Sequence, residues 1–451
     1  MATEIILINP WIYDFAAYDL WSKPLGLLYL AACLRECGYE IHLIDCLDVY
    51  HPEMTLSSDM TPPKRRVYGT GKFWKKKISK PASLSHVKRS YSRYGIKKEL
   101  LIKELKQIKN PSAILVTSLM TYWYPGVKEV IHLAKEVHPD IPVILGGIYT
   151  KICKEHAHQV SGADYIASEI TVDDMKSLLG ILHRFNVPVM DKNSDKKPLP
   201  YPAFDTLNRI DHICVLTSTG CPYKCRYCAS PFLHSRLRRR EPESIIEEIT
   251  YWVKNHGVQD FAFYDDALLI DFERHMGIVL DGLLKKNINP RFHTPNAIHI
   301  KEISPDIARL LRRSNFCTIR LGLETSDFIM RRDLDEKVSG GDFERSVYYL
   351  KNAGFSKKEI GTYILMGLPE QTVHSVLSTI KFVNRTGATP YLAEYSPIPH
   401  TALWKKAVEH SEYDIANEPL FHNNSLLPCW DGSKRERVPE LKKIVREIRQ
   451  D

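Results

Sequence analysis

Three cysteines, Cys221, Cys225 and Cys228, lie with three and two residues between them in the segment Thr217-Ser-Thr-Gly-Cys-Pro-Tyr-Lys-Cys-Arg-Tyr-Cys. A loop this short can point three thiolates at one centre. Structural zinc sites normally close with four protein ligands. Here no fourth Cys or His follows at zinc-site spacing, and His234, six residues past Cys228, is the nearest candidate. Three thiolates suit a four-iron (4Fe-4S) cluster that leaves one iron open for a substrate or cofactor. The other seven cysteines (Cys33, Cys37, Cys46, Cys153, Cys214, Cys317 and Cys429) are scattered. Several have apolar neighbours, among which a thiol packs as a small hydrophobe. One tight cysteine cluster in a long chain reads as metal binding or catalysis in a reducing compartment, not as a disulfide framework.

Such a loop must be held by something, and 451 residues suffice for two to three domains. Hydrophobic residues at 44% and charged residues at 26% give the balance of a globular protein with a real core. No apolar run approaches the ~20 residues that cross a bilayer. The first residues run straight into a strand pattern without a leader or cleavage site, so a cytoplasmic protein with no membrane attachment is expected. Strand patterns at 4–9, 40–45, 113–118, 143–145 and 164–167 alternate with helical ones at 24–38, 96–108, 126–137, 153–160 and 173–185. Alternation of this kind means an α/β fold with a parallel sheet covered on both faces. We expect a Rossmann-like doubly wound domain over 1–187 and a Pro- and Lys-rich linker over 188–205. A second series has strands at 212–217, 261–265, 291–294, 318–323, 361–366 and 391–396, with helices between them. Six βα units make a partial (β/α)6 TIM-like barrel over 206–404, with its chemistry at the C-terminal ends of the strands. Residues 405–451 form a C-terminal extension ending in a charged helix, 438–449.

The CxxxCxxC spacing, with an aromatic residue before the last cysteine and at the first strand of a partial barrel, resembles the radical S-adenosylmethionine superfamily. The context matches from Asp211 to about Trp404. The resemblance implies that the open iron is chelated by the amino and carboxylate groups of S-adenosylmethionine. One electron, from a reducing partner of the flavodoxin or ferredoxin type, then releases a 5′-deoxyadenosyl radical. It implies further that Tyr227 leans on the cluster and the adenine. Asp265 and Asp266, ending the second strand, would accept from the methionine ammonium, or else cap the next helix. Glu324 resembles the acid turned toward the ribose or amino acid moiety. Gly361 and Gly367 resemble a GxIxGxxE element that lets the backbone approach the adenine. The segment 395–401 resembles an SPxPGT ending in which His400 replaces the usual glycine.

The front domain is similar to the cobalamin (B12)-binding class, on Asn9-Pro10, the run 23–32, Ser118 and Gly146-Gly147. Ligands of such sheets gather at the C-terminal ends of the strands, which makes Ser118, Gly146 and Gly147 cofactor-binding candidates. The DxHxxG loop that supplies a histidine to cobalt is absent. The first βα loop reads Asn9-Pro-Trp-Ile-Tyr-Asp-Phe-Ala, so cobalamin would be bound without a protein ligand to its metal, or the site would be vestigial.

The net charge of +8 sits in an insertion at 51–98, where thirteen Lys or Arg oppose two acids and leave the rest of the chain near −3. Interleaved cations and aromatics there suit nucleic acid, an anionic cofactor, a lid, or plain solvation. The leading expectation is cobalamin-dependent methyl transfer to an unactivated carbon of a small molecule. The alternatives are a radical oxidoreductase or rearrangement enzyme without cobalamin, and a zinc-stabilised RNA-binding protein. A methylthiolating enzyme would want a second cysteine triad in front, for which Cys33, Cys37 and Cys46 are poorly disposed.

Overall fold

The strand Glu4–Asn9 buries its four middle residues, as a strand covered on both faces must. It lies inside a five-stranded parallel sheet in the computed structural model, which describes residues 3–55, 59–169, 174–188, 199–332, 334–335 and 337–450. The sheet order is Tyr165–Ala167, Val143–Gly146, Pro111–Val116, Glu4–Asn9, Glu40–Asp45. Alternate side chains serve two layers. Ile6, Ile8, Ile114 and Val116 pack with residues of the helices Lys98–Gln107 and Tyr124–Val137, such as Leu101 and Val130. Ile5, Leu7, Ala113 and Leu115 pack with residues of Leu25–Glu36 and Met175–Arg184, such as Leu27 and Leu182. This is the expected doubly wound α/β fold. From Glu4–Asn9 the chain goes to the edge strand Glu40–Asp45 and then returns to build out toward the other edge, so the switch point lies between Glu4–Asn9 and Pro111–Val116. In such sheets the ligand crevice lies beyond the strand ends at that point.

The basic insertion is built onto this unit. Its strands Lys75–Ile78 and Tyr91–Tyr94 join Ile12–Asp14 in an antiparallel sheet, and Gly71–Lys72 pairs with Tyr18–Asp19. Several of its cations are engaged. Arg65 pairs with Asp19, Lys76 with Asp59 and Lys98 with Glu129, while Arg93 and Arg89 lie over the rings of Trp11 and Phe15. Positions 56–58 of the insertion and 189–198 of the expected linker lie outside the described residues.

Gly147 has φ +104°, and a Cβ there would stand 2.1 Å from the Ser118 carbonyl oxygen. Backbone cannot retreat from such a contact. Gly147→Ala is therefore expected to lower stability by at least the ~1–3 kcal/mol of a residue held in a disallowed region, read as a fall in the thermal midpoint.

The second compact unit spans Asp211–Asp451, the first Met1–Ile210. Six parallel strands follow in chain order: Ile213–Val215, Asp260–Phe263, Arg291–His293, Phe316–Glu324, Ile360–Met366 and Thr389–Glu394. The intervening helices carry local stop and start signals. Ser304 and Thr372 cap Pro305–Arg313 and Val373–Thr386 with side-chain oxygens, and Gly257 ends Pro242–His256 in the left-handed conformation. The last fifty residues pack into this unit. Leu403, Ala407, Ile415 and Cys429 share a core with Leu334, Leu365 and Leu368. The helix Val438–Gln450 lies along the sixth strand through the Lys442–Glu394 ion pair and Arg449 over the Tyr391 ring. Among the described residues, no helix is long and apolar enough to cross a membrane.

Candidate active site

The cysteine loop leaves the C-terminal end of the first barrel strand through a short ladder. Ser218–Thr219 pairs antiparallel with Arg238–Arg239. Gly220 makes the turn at φ +83°, where a Cβ would meet the Arg236 carbonyl oxygen at 2.6 Å. Asp265 fixes the root. Its oxygens accept from the Thr217 amide (3.1 Å), the Thr217 hydroxyl (2.7 Å) and the Ser218 hydroxyl (2.6 Å). Burial raises its pKa, and those three donors are its compensation. Neighbouring Asp266 is exposed and accepts from the Ser230 hydroxyl at 2.6 Å. Midway round the loop, the Arg226 amide donates to the Leu334 carbonyl (2.9 Å) and its own carbonyl accepts from Leu403 (2.8 Å). Asp265→Ala is expected to cut iron retention by the ~10–100-fold typical of lost outer-shell support, read as iron per chain after gel filtration.

Two thiolates on one zinc at ~2.3 Å each stand at most ~4.6 Å apart. Among the described residues, only Glu4, Glu40 and His42 bring three such ligand atoms within 4.8 Å of one another, and they lie at strand starts in the other unit. The sulfurs of Cys221, Cys225 and Cys228 do not all lie that close to one another. Burial pushes the Cys225 thiol up to about 11 and raises Cys221 and Cys228 as well. Polar groups line the space beside them. The Tyr227 hydroxyl is buried with no partner in hydrogen-bonding geometry. Lys337 Nζ stands 5.5 Å from the Tyr227 ring centroid and 2.7 Å from Glu324 Oε1, a pair almost out of solvent. Burial opposes the lysine's charge, but Glu324 and then Cys225 outweigh it and hold the ammonium above the ordinary lysine value. His299 Nε2 is 3.8 Å from Cys221 Sγ. Burial, helped by the Lys337 charge, lowers its pKa to about 4. The three thiols, the orphaned hydroxyl and the buried cation fit a cluster with a zwitterionic partner.

The structure thus brings Tyr227, Glu324 and the three cysteines together, with Asp265 and Asp266 at the loop's root. Gly361 requires a correction. It sits second in Ile360–Met366, at the start of that strand, where its missing Cβ makes room for Arg320 and Tyr391. The whole strand separates it from Gly367, which turns at φ +103° with its amide on Gln371 Oε1 and Leu427 against its α-carbon. His400 takes the glycine-like φ of +67° and stacks on Phe232 at 4.2 Å. In the other unit, the Ser118 hydroxyl donates to the Gly146 carbonyl at 2.6 Å, beside Gly147. The loops at that switch point, 9–16, 117–124 and 146–150, contain no histidine and expose Leu119 and Met120. They offer backbone, hydroxyl and apolar surface, which fits a corrin held without a protein ligand to its metal. Sequence reading missed Lys337 and His299, because only barrel closure brings them to the cysteines.

The sequence matches the radical SAM superfamily over residues 215–383 and the B12 binding domain over 88–174. An uncharacterized methyltransferase of Pyrococcus horikoshii is 25% identical over 376 residues, 73% of this chain and 76% of that protein. The cytidylyl-2-hydroxyethylphosphonate methyltransferase of Streptomyces wedmorensis is 18% identical over 97% of this chain and 88% of its own length. A solved structure of the radical S-adenosylmethionine methyltransferase TsrM from Kitasatospora setae shares the fold. It has a TM-score of 0.64 at 14% identity and covers 90% of this chain and 76% of that one. The first domain match brings a 4Fe-4S cluster and S-adenosylmethionine as cofactors, and the second brings cobalamin. This chain is thus an enzyme that carries a domain of the radical SAM superfamily, with a B12-binding domain ahead of it.

Proposed function

We propose that this enzyme methylates an unactivated carbon of a small-molecule substrate. When bound, the cluster and S-adenosylmethionine supply a 5′-deoxyadenosyl radical and cobalamin supplies the methyl carrier. Cys221, Cys225 and Cys228 hold the cluster, and Asp265 positions their loop through its three hydrogen bonds. Glu324, Lys337 and Asp266 offer charges complementary to the amino and carboxylate groups of S-adenosylmethionine. Tyr227 packs beside it, and Gly367 lets the backbone come close. Ser118, Gly146 and Gly147 shape the cobalamin crevice at the switch point. The buried lining keeps water from the radical.

The observation that carries this reading is one chain joining a three-cysteine loop at a barrel mouth to a doubly wound unit whose switch-point loops lack a histidine. The names of the relatives support methyl transfer. We also infer a cytoplasmic setting and a flavodoxin- or ferredoxin-type reducing partner. One tight cysteine cluster among otherwise scattered cysteines supports the reducing compartment.

The test is anaerobic reconstitution with iron and sulfide, then addition of S-adenosylmethionine, dithionite and hydroxocobalamin, with nucleoside products assayed by mass spectrometry. Formation of 5′-deoxyadenosine, with corrinoid retained on gel filtration and S-adenosylhomocysteine appearing only when cobalamin is present, supports the proposal. Deoxyadenosine from a protein that retains no corrinoid would move the reading to cobalamin-free radical chemistry. Zinc in place of iron, with no deoxyadenosine, would sink it.

A further inference from the structure

His299 has no part in the reading above, yet it lies against the cysteine loop. It follows the third barrel strand, and its Nε2 comes within 3.8 Å of Cys221 Sγ across 78 residues of sequence. That separation is within the reach of an N–H···S hydrogen bond. The residue is 7% exposed, and Nδ1 has no hydrogen-bond partner. A buried imidazole with one orphaned nitrogen is costly, so something else must hold it there.

The surroundings show how. The Tyr223 ring, two residues past Cys221, packs on the imidazole at 4.7 Å between centroids, and its hydroxyl donates to Glu302 at 3.4 Å. On either side the backbone is pinned. The Ile298 amide donates to the Arg320 carbonyl at 2.8 Å, and the Ser346 hydroxyl donates to the Ile300 carbonyl at 2.8 Å. The ring therefore has little freedom to turn away from the sulfur.

We propose that His299 is a positioning residue for the cluster: Nε2–H donates to the Cys221 thiolate and raises the cluster's reduction potential. The tautomer follows, because a neutral imidazole donating from Nε2 keeps Nδ1 as its acceptor. Hydrogen bonds to ligating sulfurs draw negative charge off the cluster and ease the arrival of another electron. In a site that must accept an electron before any chemistry begins, such a bond bears on the first step.

The inference rests on the three cysteines holding the cluster, and the test separates the two claims. Full-length wild-type protein, reconstituted anaerobically and reduced, should show the EPR signal of a 4Fe-4S cluster. If it does not, the functional reading itself fails and this inference with it. Given the signal, redox titrations followed by EPR compare wild type with His299→Leu and His299→Gln at equal iron content. In the leucine variant the reduced-to-oxidised ratio at the wild-type midpoint should fall about tenfold, ~59 mV for one electron. The glutamine variant, which keeps an N–H donor, should fall less. A leucine variant with the wild-type midpoint overturns the proposal. A second measurement needs no variant: pulsed EPR of wild-type protein carrying 15N-histidine should show one weak nitrogen coupling. No coupling, or the strong coupling of nitrogen bound directly to iron, also overturns it.

Discussion

Cys225→Ala is expected to fold like the wild type and yet to lose both its cluster and its 5′-deoxyadenosine. The thiol is small and half-buried in a loop, so alanine leaves no charge stranded and only a minor gap. The cluster, however, loses one of three protein ligands. Losing mere outer-shell support at a metal site costs ~10–100-fold, and losing a ligand should cost more than the upper end of that range. The comparison is iron per chain, deoxyadenosine by mass spectrometry and far-ultraviolet circular dichroism on one preparation. An alanine variant that keeps its iron and its product would show that these cysteines do not hold the cluster.

The second large effect belongs to stability. Lys337 and Glu324 form an ion pair at 2.7 Å with both side chains nearly out of solvent. Lys337→Met strands the carboxylate, and Glu324→Gln strands the ammonium. Removing one member of a buried pair typically costs ~3–5 kcal/mol, whereas replacing both with apolar or neutral groups is often close to neutral. The double variant Glu324→Gln/Lys337→Met should therefore be more stable than Lys337→Met alone, with coupling well above 1 kcal/mol. Urea denaturation of the four proteins of this cycle, without cofactors, measures it. Additive losses would mean that the two residues do not depend on each other, and the buried pair would be refuted. Against a typical stability of ~5–15 kcal/mol, either single loss is a large fraction.

What could be read beforehand depended on how locally it was encoded. Residues 4–9 and 40–45 became strands with those bounds, because apolar period and end signals sit within the segments themselves. The cysteine triad was equally legible, being eight consecutive residues. The insertion was not. Lys75–Ile78 reads KKKI, which has no strand pattern, and becomes a strand only because Tyr91–Tyr94, itself paired with Ile12–Asp14, forms beside it. Lysines on such an edge keep it from pairing with other chains, so part of the charge that suggested nucleic acid has a structural use. Gly361 failed for a related reason. A glycine spacing says which residues recur along a strand but not which end meets the site. Lys337 and His299 were beyond reach, since their neighbours lie more than a hundred and about eighty residues away in sequence.

One residue of the cysteine loop bears on the timing of assembly. Arg226 lies between two cysteines, and its backbone is hydrogen-bonded to Leu334 on one side and Leu403 on the other. The second of these contacts closes a span of 177 residues, and such long-range closures come late in folding. A ribosome that has just released the three cysteines has not yet made the chain that shapes their loop. The thiols must therefore wait, reduced and unliganded, until the sixth strand and the turn beyond it emerge, and iron delivered earlier would meet a site that does not yet exist.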